Sequence, residues 1–152
     1  DFDPTVSMTA DTLTWHDDFL LGHTAIDAYH EAFVGHVRAL QEADDARWPA
    51  LYDELLKHLE KHFGAEDKLM LETEFPPRQC HMDEHAAVLA SVREVRERLA
   101  QGRVDIARDL LAHLTEWFPK HTQHLDSALA HWANKNRLGG KAVVIKRGLS
   151  LR

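Results

Sequence analysis

Apolar residues recur along this chain at intervals of three and four, the spacing of one face of an α-helix. In the stretch from about Thr24 to Gln41, the positions Ile26, His30, Phe33, Val37 and Leu40 fall on one stripe. Thr24 and Asp27 fit a capping box at its start. A second stripe, from about Trp48 to Leu71, carries Leu51, Leu55, His58, His62, Glu66 and Leu69. Pro49 suits the first turn of that helix, where a missing N–H costs nothing. Pro76-Pro77 ends the pattern, and a third stripe of His81, His85, Val88, Val92, Val95 and Leu99 runs to about Ala100, before Gly102. The fourth covers about Asp105 to Asn134, with Leu110, Leu114, Trp117 and His121 in register. No segment alternates with period two for long enough to predict a strand, although Ala142-Val143-Val144-Ile145 is a short β-prone run. The expected fold is all-α, an up-down-up-down four-helix bundle whose short connections make consecutive helices antiparallel neighbours. Residues 9–23, with Trp15, Phe19, Leu20 and Leu21, form an apolar-rich lead-in expected to pack across the bundle.

The stripes contain histidine where leucine or valine belongs. His30, His62, His81, His85 and His121 all occupy core positions, spread over all four helices, together with Glu66 and Asp126. One inward histidine is ordinary, because a single imidazole finds hydrogen bonds in a core. Five of them with two carboxylates at one depth would be a severe desolvation cost without a metal.

The spacings place these side chains together. His81 and His85, and likewise His62 and Glu66, are four apart and lie one above the other on a helix face. His121 and Asp126 are five apart, which leaves them about 140° apart on an ideal helix. Both reach one centre if Asp126 reaches round, or if the helix is overwound or bulged, as i→i+5 bulges at functional sites are. Pro119 adds local irregularity by removing its amide bond to Thr115. Seven donors are too many for one zinc, which usually closes with four. Five imidazoles, two bridging carboxylates and a solvent-derived bridge fill eleven of the twelve positions of two six-coordinate ions. One position stays open, where a small molecule such as O2 would bind. Two ions sharing such bridges lie roughly 3.5–4 Å apart. Imidazole with carboxylate suits iron, while zinc, copper and manganese stay open on ligand type. Imidazole-rich ligation favours reversible binding over the oxidative activation typical of Glu-rich di-iron sites.

The order H…HxxxE…HxxxH…HxxxxD resembles the hemerythrin family, bacterial hemerythrins in particular. Supporting matches are Trp15, Ile26-Asp27 before His30, Phe63 after His62, Pro77 four before His81, and Trp117 four before His121, over about residues 13–132. The resemblance implies a non-haem di-iron centre that binds O2 at one iron. By position, His81, His85 and His121 would hold the coordinatively full iron and His30 and His62 the open one, with Glu66 and Asp126 bridging. It also implies an O2 pocket of Phe63, Trp117, Phe118, Thr122 and His58. Two of these depart from the family pattern: an aliphatic residue is expected at Thr122 and a tyrosine at His58. A hydroxyl and an imidazole there would admit water or protons, unless Thr122 turns away and His58 caps the core. The leading expectation is reversible O2 binding for storage, transport, delivery or sensing, without turnover. The alternatives are a di-iron enzyme, a peroxidase or a nitric oxide or O2 reductase, and an iron-sensing or iron-handling module.

Composition narrows the setting. A chain of 152 residues predicts one domain, and a net charge of −7 argues against a nucleic-acid partner. Cys80 is the only cysteine, which excludes an internal disulfide, and no apolar run approaches a membrane span. The chain therefore reads as cytoplasmic, with no membrane contact and any redox or signalling partner unidentified. The expected layout is an N-terminal extension over 1–12, the di-iron bundle over 13–136 and a basic tail over 137–152. Asp1 rather than Met opens the chain, and residues 1–7 are expected to be foreign, with Met8 the natural start. His16, His23, His36, His113 and His131 are expected to be solvated or packing residues. His124 is an alternative ligand should Asp126 not bridge, and Cys80 is expected to pack rather than ligate.

Overall fold

The computed structural model describes residues 13–138. Four helical rods follow one another, and the stripes turn inward. The first three are α1 (Thr24–Glu42), α2 (Trp48–Glu72) and α3 (Arg78–Ala100). The fourth rod is continuous but composite: α4 (Val104–His121), a π-helical turn (Thr122–Asp126) and α5 (Ser127–Leu138). Consecutive rods are neighbours joined by the short segments 43–47, 73–77 and 101–103, and no strand occurs among the described residues. The last helix runs to Leu138, two residues into the span expected to be tail, while the β-prone run from Ala142 lies outside the described residues.

The start of α1 differs from the capping box expected at Thr24. His23 is the N-cap, its Nδ1 accepting from the Ile26 amide at 3.2 Å. Asp27 instead reaches back over the lead-in, its carboxylate accepting from the amides of Leu21 (2.8 Å) and Gly22 (3.1 Å). Gly22 takes φ 84°, a turn that a side chain would strain, and its carbonyl accepts from Asn134 at the far end of the fourth rod (2.7 Å). The lead-in is thus fastened to both ends of the chain's helical order. Leu13 is buried, and Phe19 meets the ring of Phe118 edge-on at 5.4 Å, so the lead-in packs on the bundle from residue 13 onward, residues 9–12 lying outside the described residues.

The core lies in two parts. The larger packs Phe33, Val37, Leu40, Trp48, Leu55, Leu59, Val92 and Leu114 among its members. The smaller packs Ile26, Met70, Phe75 and Leu129 at the opposite end. Between them sits a layer of buried polar side chains, and the apolar clusters on each side keep water from it. Tyr52 ties α2 to α3 within the large cluster, its hydroxyl donating to the Val92 carbonyl at 2.8 Å.

Candidate metal centre

Every rod contributes to the polar layer: His30 from α1, His62 and Glu66 from α2, His81 and His85 from α3, His121 and Asp126 from the fourth rod. All seven are at most 4% exposed. The π-helical turn explains how His121 and Asp126 converge despite their five-residue spacing. The Ser127 amide bonds the Thr122 carbonyl in an i→i+5 pattern, which widens the turn and swings Asp126 toward His121. Ser127 also donates its hydroxyl to the Gln123 carbonyl, occupying an acceptor within the widened turn.

The donors fall into two sets, and each carboxylate gives one oxygen to each set. Asp126 Oδ1 lies 2.9 Å from His81 Nε2 and 3.1 Å from His121 Nε2, while its Oδ2 lies 2.8 Å from His30 Nε2. Glu66 Oε1 lies 3.2 Å from His85 Nε2 and 3.7 Å from His81 Nε2, while its Oε2 lies 2.7 Å from His62 Nε2 and 3.6 Å from His30 Nε2. One half therefore gathers three imidazoles and two oxygens within 4.8 Å of one another, whereas the other gathers His30, His62 and a Glu66 oxygen, with Asp126 Oδ2 close to it only at His30.

These contacts are close without being a closed set of hydrogen bonds. His30 Nε2, His85 Nε2, Glu66 Oε1 and Asp126 Oδ1 are buried and make no hydrogen bond. All four atoms face the shared space between the two carboxylates and the imidazoles. Donors held at about 2.1 Å around one ion stand roughly 3 Å apart when adjacent, which is the spacing seen here. The residues fit a cation in each half, and the donor set of imidazole and carboxylate without thiolate suits iron.

Two outer carboxylates hold the three-histidine half. His121 Nδ1 bonds Glu84 Oε1 at 2.7 Å, and His85 Nδ1 bonds Asp67 Oδ1 at 2.7 Å. Sequence reading missed both, because neither spacing is periodic on a single helix. Burial opposes protonation of His30, but the Asp126 and Glu66 carboxylates outweigh it and raise the pKa to about 9. Asp67 and Glu66 likewise raise His85 to about 9 against its burial. Burial also opposes ionisation of Glu66 and Asp126, yet the surrounding imidazoles hold both below the usual carboxylate range. Burial pushes His62 down, and it pushes His58 down to about 3 with help from His62 and His36.

Metal ligation requires a neutral imidazole, so loading must displace the protons of His30 and His85. We expect uptake of metal near pH 7 to release about two protons per chain and to tighten as pH rises toward 9. Calorimetric titration with Co2+ in two buffers of different ionisation enthalpy measures the count. Zero released protons would contradict the assigned charge of the pair.

Aromatic rings wall the layer. Phe118 stands perpendicular to His30 at 5.3 Å, and Phe63 lies flat on His85 at 4.1 Å while also meeting His62 at 5.2 Å. Trp117 stacks on His121 at 4.4 Å, at the three-histidine half. Tyr29 lies parallel to His62 at 5.2 Å and Phe33 stacks on Phe118 at 4.8 Å. Neither was in the expected pocket, though Phe33, three after His30 on the same stripe, carried a signal for it. A cavity of about 220 Å³ between α1 and α2, with Ile26, Tyr29, Ala65 and Leu69 among its lining residues, has Glu66 in its wall. Thr122 is buried at 2% with its hydroxyl unpartnered. His58 is half-buried beside His62, at 5.1 Å between ring centres, with Nε2 unpartnered.

Other residues fall outside the cluster. Cys80 is exposed, which corrects the packing role expected for it: the first turn of α3 points it to solvent. His124 is exposed and stands outside both donor sets, and His16, His113 and His131 are exposed as well. His36 is half-buried, its ring 5.0 Å from that of His58.

A four-helix bundle enclosing such a layer describes a cation-binding domain. The Hemerythrin HHE cation binding domain matches residues 21–133, and the chain belongs to the hemerythrin family. A bacteriohemerythrin of Ralstonia nicotianae is 38% identical over 120 residues, 79% of this chain and 88% of the relative. Bacteriohemerythrins of Pseudomonas aeruginosa and Aquifex aeolicus are 27% identical over 119 residues and 28% over 116. These alignments cover 76% and 72% of this chain and 77% and 88% of those relatives. No solved structure matches the chain significantly. No helix among the described residues is long and apolar enough to cross a membrane.

Proposed function

We propose that this chain holds two non-haem iron ions and binds O2 reversibly at the one on the His30–His62 side. The observation that carries the reading is the division of donors: Glu66 and Asp126 each offer one oxygen to a three-imidazole half and one to a two-imidazole half. His81, His85 and His121 would hold one ion, His30 and His62 the other, and the carboxylates would bridge. With equal sharing of the bridges, the two-imidazole half has one donor fewer, so the vacancy falls there. A bound iron pair would supply the electrons for O2 binding. The protein's part is to hold the donors in place, keep the layer dry with Phe118, Phe33 and Tyr29, and limit proton entry. The cation-binding family and the bacteriohemerythrin names of the relatives support the same reading.

A second reading, an enzyme that reduces peroxide, nitric oxide or O2, is favoured by one observation. Thr122 brings an unpartnered buried hydroxyl, and His58 an unpartnered nitrogen beside His62. Groups able to pass protons near a dimetal centre promote turnover.

Metal analysis and absorption spectra of the reduced protein before and after air test the proposal. About two irons per chain, an azide-binding oxidised form and a charge-transfer band that disappears on deoxygenation are the expected results. One zinc and no colour would sink it, whereas sustained peroxide or nitric oxide consumption with an electron donor would favour the enzyme. Thr122→Ile is expected to slow autoxidation by up to about 100-fold, the lower end of the range for a lost proton-transfer group.

A further inference from the structure

Taking the two-ion reading as its basis, we propose that Glu84 and Asp67 are positioning residues that make the three-histidine half the tighter cation position. The His30–His62 half is then the position that exchanges.

Each acid ties an imidazole across a helix interface. Glu84 stands on α3 and its partner His121 at the end of α4; Asp67 stands on α2 and its partner His85 on α3. Glu84 makes a second bond with the same oxygen, accepting from Trp117 Nε1 at 2.8 Å. The Trp117 ring in turn stacks on His121 at 4.4 Å, so this imidazole is held on its edge and on its face. The opposite half has no counterpart: Nδ1 of His30 and Nδ1 of His62 are buried and unpartnered. The outer bonds therefore divide along the same line as the inner donors, two of three imidazoles on one side and neither of two on the other.

The consequence follows from imidazole chemistry. A carboxylate accepting from Nδ1–H fixes the tautomer, leaves the Nε2 lone pair for the cation, fixes the ring plane and strengthens the donor. An imidazole without such a partner must be oriented by packing alone. Glu84 and Asp67 themselves are side chains about one-third exposed, at 36% and 31%, so water would satisfy either of them equally well. Holding the carboxylates at the two imidazoles is thus a service to the imidazoles rather than a need of the acids. Glu84 also lines a surface cleft with Lys120, His124 and Leu125.

The test is a competitive chelator titration of the purified full-length chain with Co2+, comparing the wild type with Glu84→Gln and Asp67→Asn. Glu94→Gln, an exposed change on the same helix as Glu84, is the control. Each positioning variant is expected to weaken the tighter of two bound equivalents by about 10–100-fold and to leave the weaker one near its wild-type value. In the Co2+ protein, the shifted Nδ1–H proton signal of His121 or His85 should exchange faster with solvent in the matching variant only. Wild-type affinities in both variants overturn the inference, as does equal weakening of both equivalents, which marks general loosening. A wild type that takes up fewer than two ions overturns the two-ion reading itself, and the inference with it.

Discussion

On the proposed two-ion site, Glu66→Ala and Asp126→Ala are each expected to retain at most one metal ion per chain. Either change removes a donor from both halves at once, because Glu66 reaches His85 and His62, and Asp126 reaches His81, His121 and His30. The three-imidazole half keeps four protein donors, enough to hold an ion, while the two-imidazole half falls to three. The site also loses one of the two buried negative charges that would offset two dications, a change worth several kcal/mol in a dry interior. Glu66→Gln separates charge from shape: an amide keeps one oxygen for one half and turns a nitrogen, which cannot ligate, toward the other. It should therefore match the alanine variant in stoichiometry. Elemental analysis of desalted protein reads the count, with circular dichroism to confirm that the helices persist. Two ions retained in both alanine variants would refute the bridging assignment.

The sequence made the inner layer legible and left the outer one hidden, for a physical reason. Helical periodicity projects residues three, four and seven apart onto one face, so His62 with Glu66 and His81 with His85 declare themselves. His121 with Asp126 breaks the period, a misfit that leaves a long reach by Asp126, an overwound helix or a bulge; the π-helical turn at Thr122–Asp126 is the bulge. The partners of the imidazoles lie across helix interfaces, 37 residues apart for Glu84 and His121 and 18 for Asp67 and His85. Nothing in local spacing marks an acid on a solvent-facing stripe as one that leans inward. The start of α1 was misread for a related reason: Thr24 and Asp27 satisfy the usual capping pattern, but Asp27 is drawn to the lead-in amides and His23 takes the cap. Cys80 was assigned a packing role on residue type, whereas its place in the first turn of α3, beyond the reach of either apolar cluster, leaves it in solvent.

Stripping the metal is expected to lower the thermal unfolding midpoint by roughly 8–16 °C while leaving a helical, cooperatively folded protein. The loss follows from what the layer becomes without cations: five imidazoles and two carboxylates buried at up to 4% exposure, with several of their atoms lacking hydrogen bonds. Each unsatisfied buried polar group costs about 1–3 kcal/mol, and unfolding returns all of them to water. Seen from the other side, an ion present at about a thousand times its Kd stabilises the folded state by about 4 kcal/mol. For a chain of this size each kcal/mol moves the midpoint by about 2–4 °C. The fold should survive because the larger apolar cluster, from Phe33 through Trp48 to Leu114, is built below the layer and needs no metal to pack. The smaller cluster, around Ile26, Met70 and Leu129, depends on the layer to hold it to the rest. Local loosening should therefore begin at that end, in the π-helical turn and α5, where His121 and Asp126 lose their common target. Hydrogen exchange on stripped and loaded protein would show it as faster exchange at residues 122–134 than at residues 52–59. Equal midpoints, or uniform exchange along the fourth rod, would mean that the seven polar side chains are satisfied without a cation.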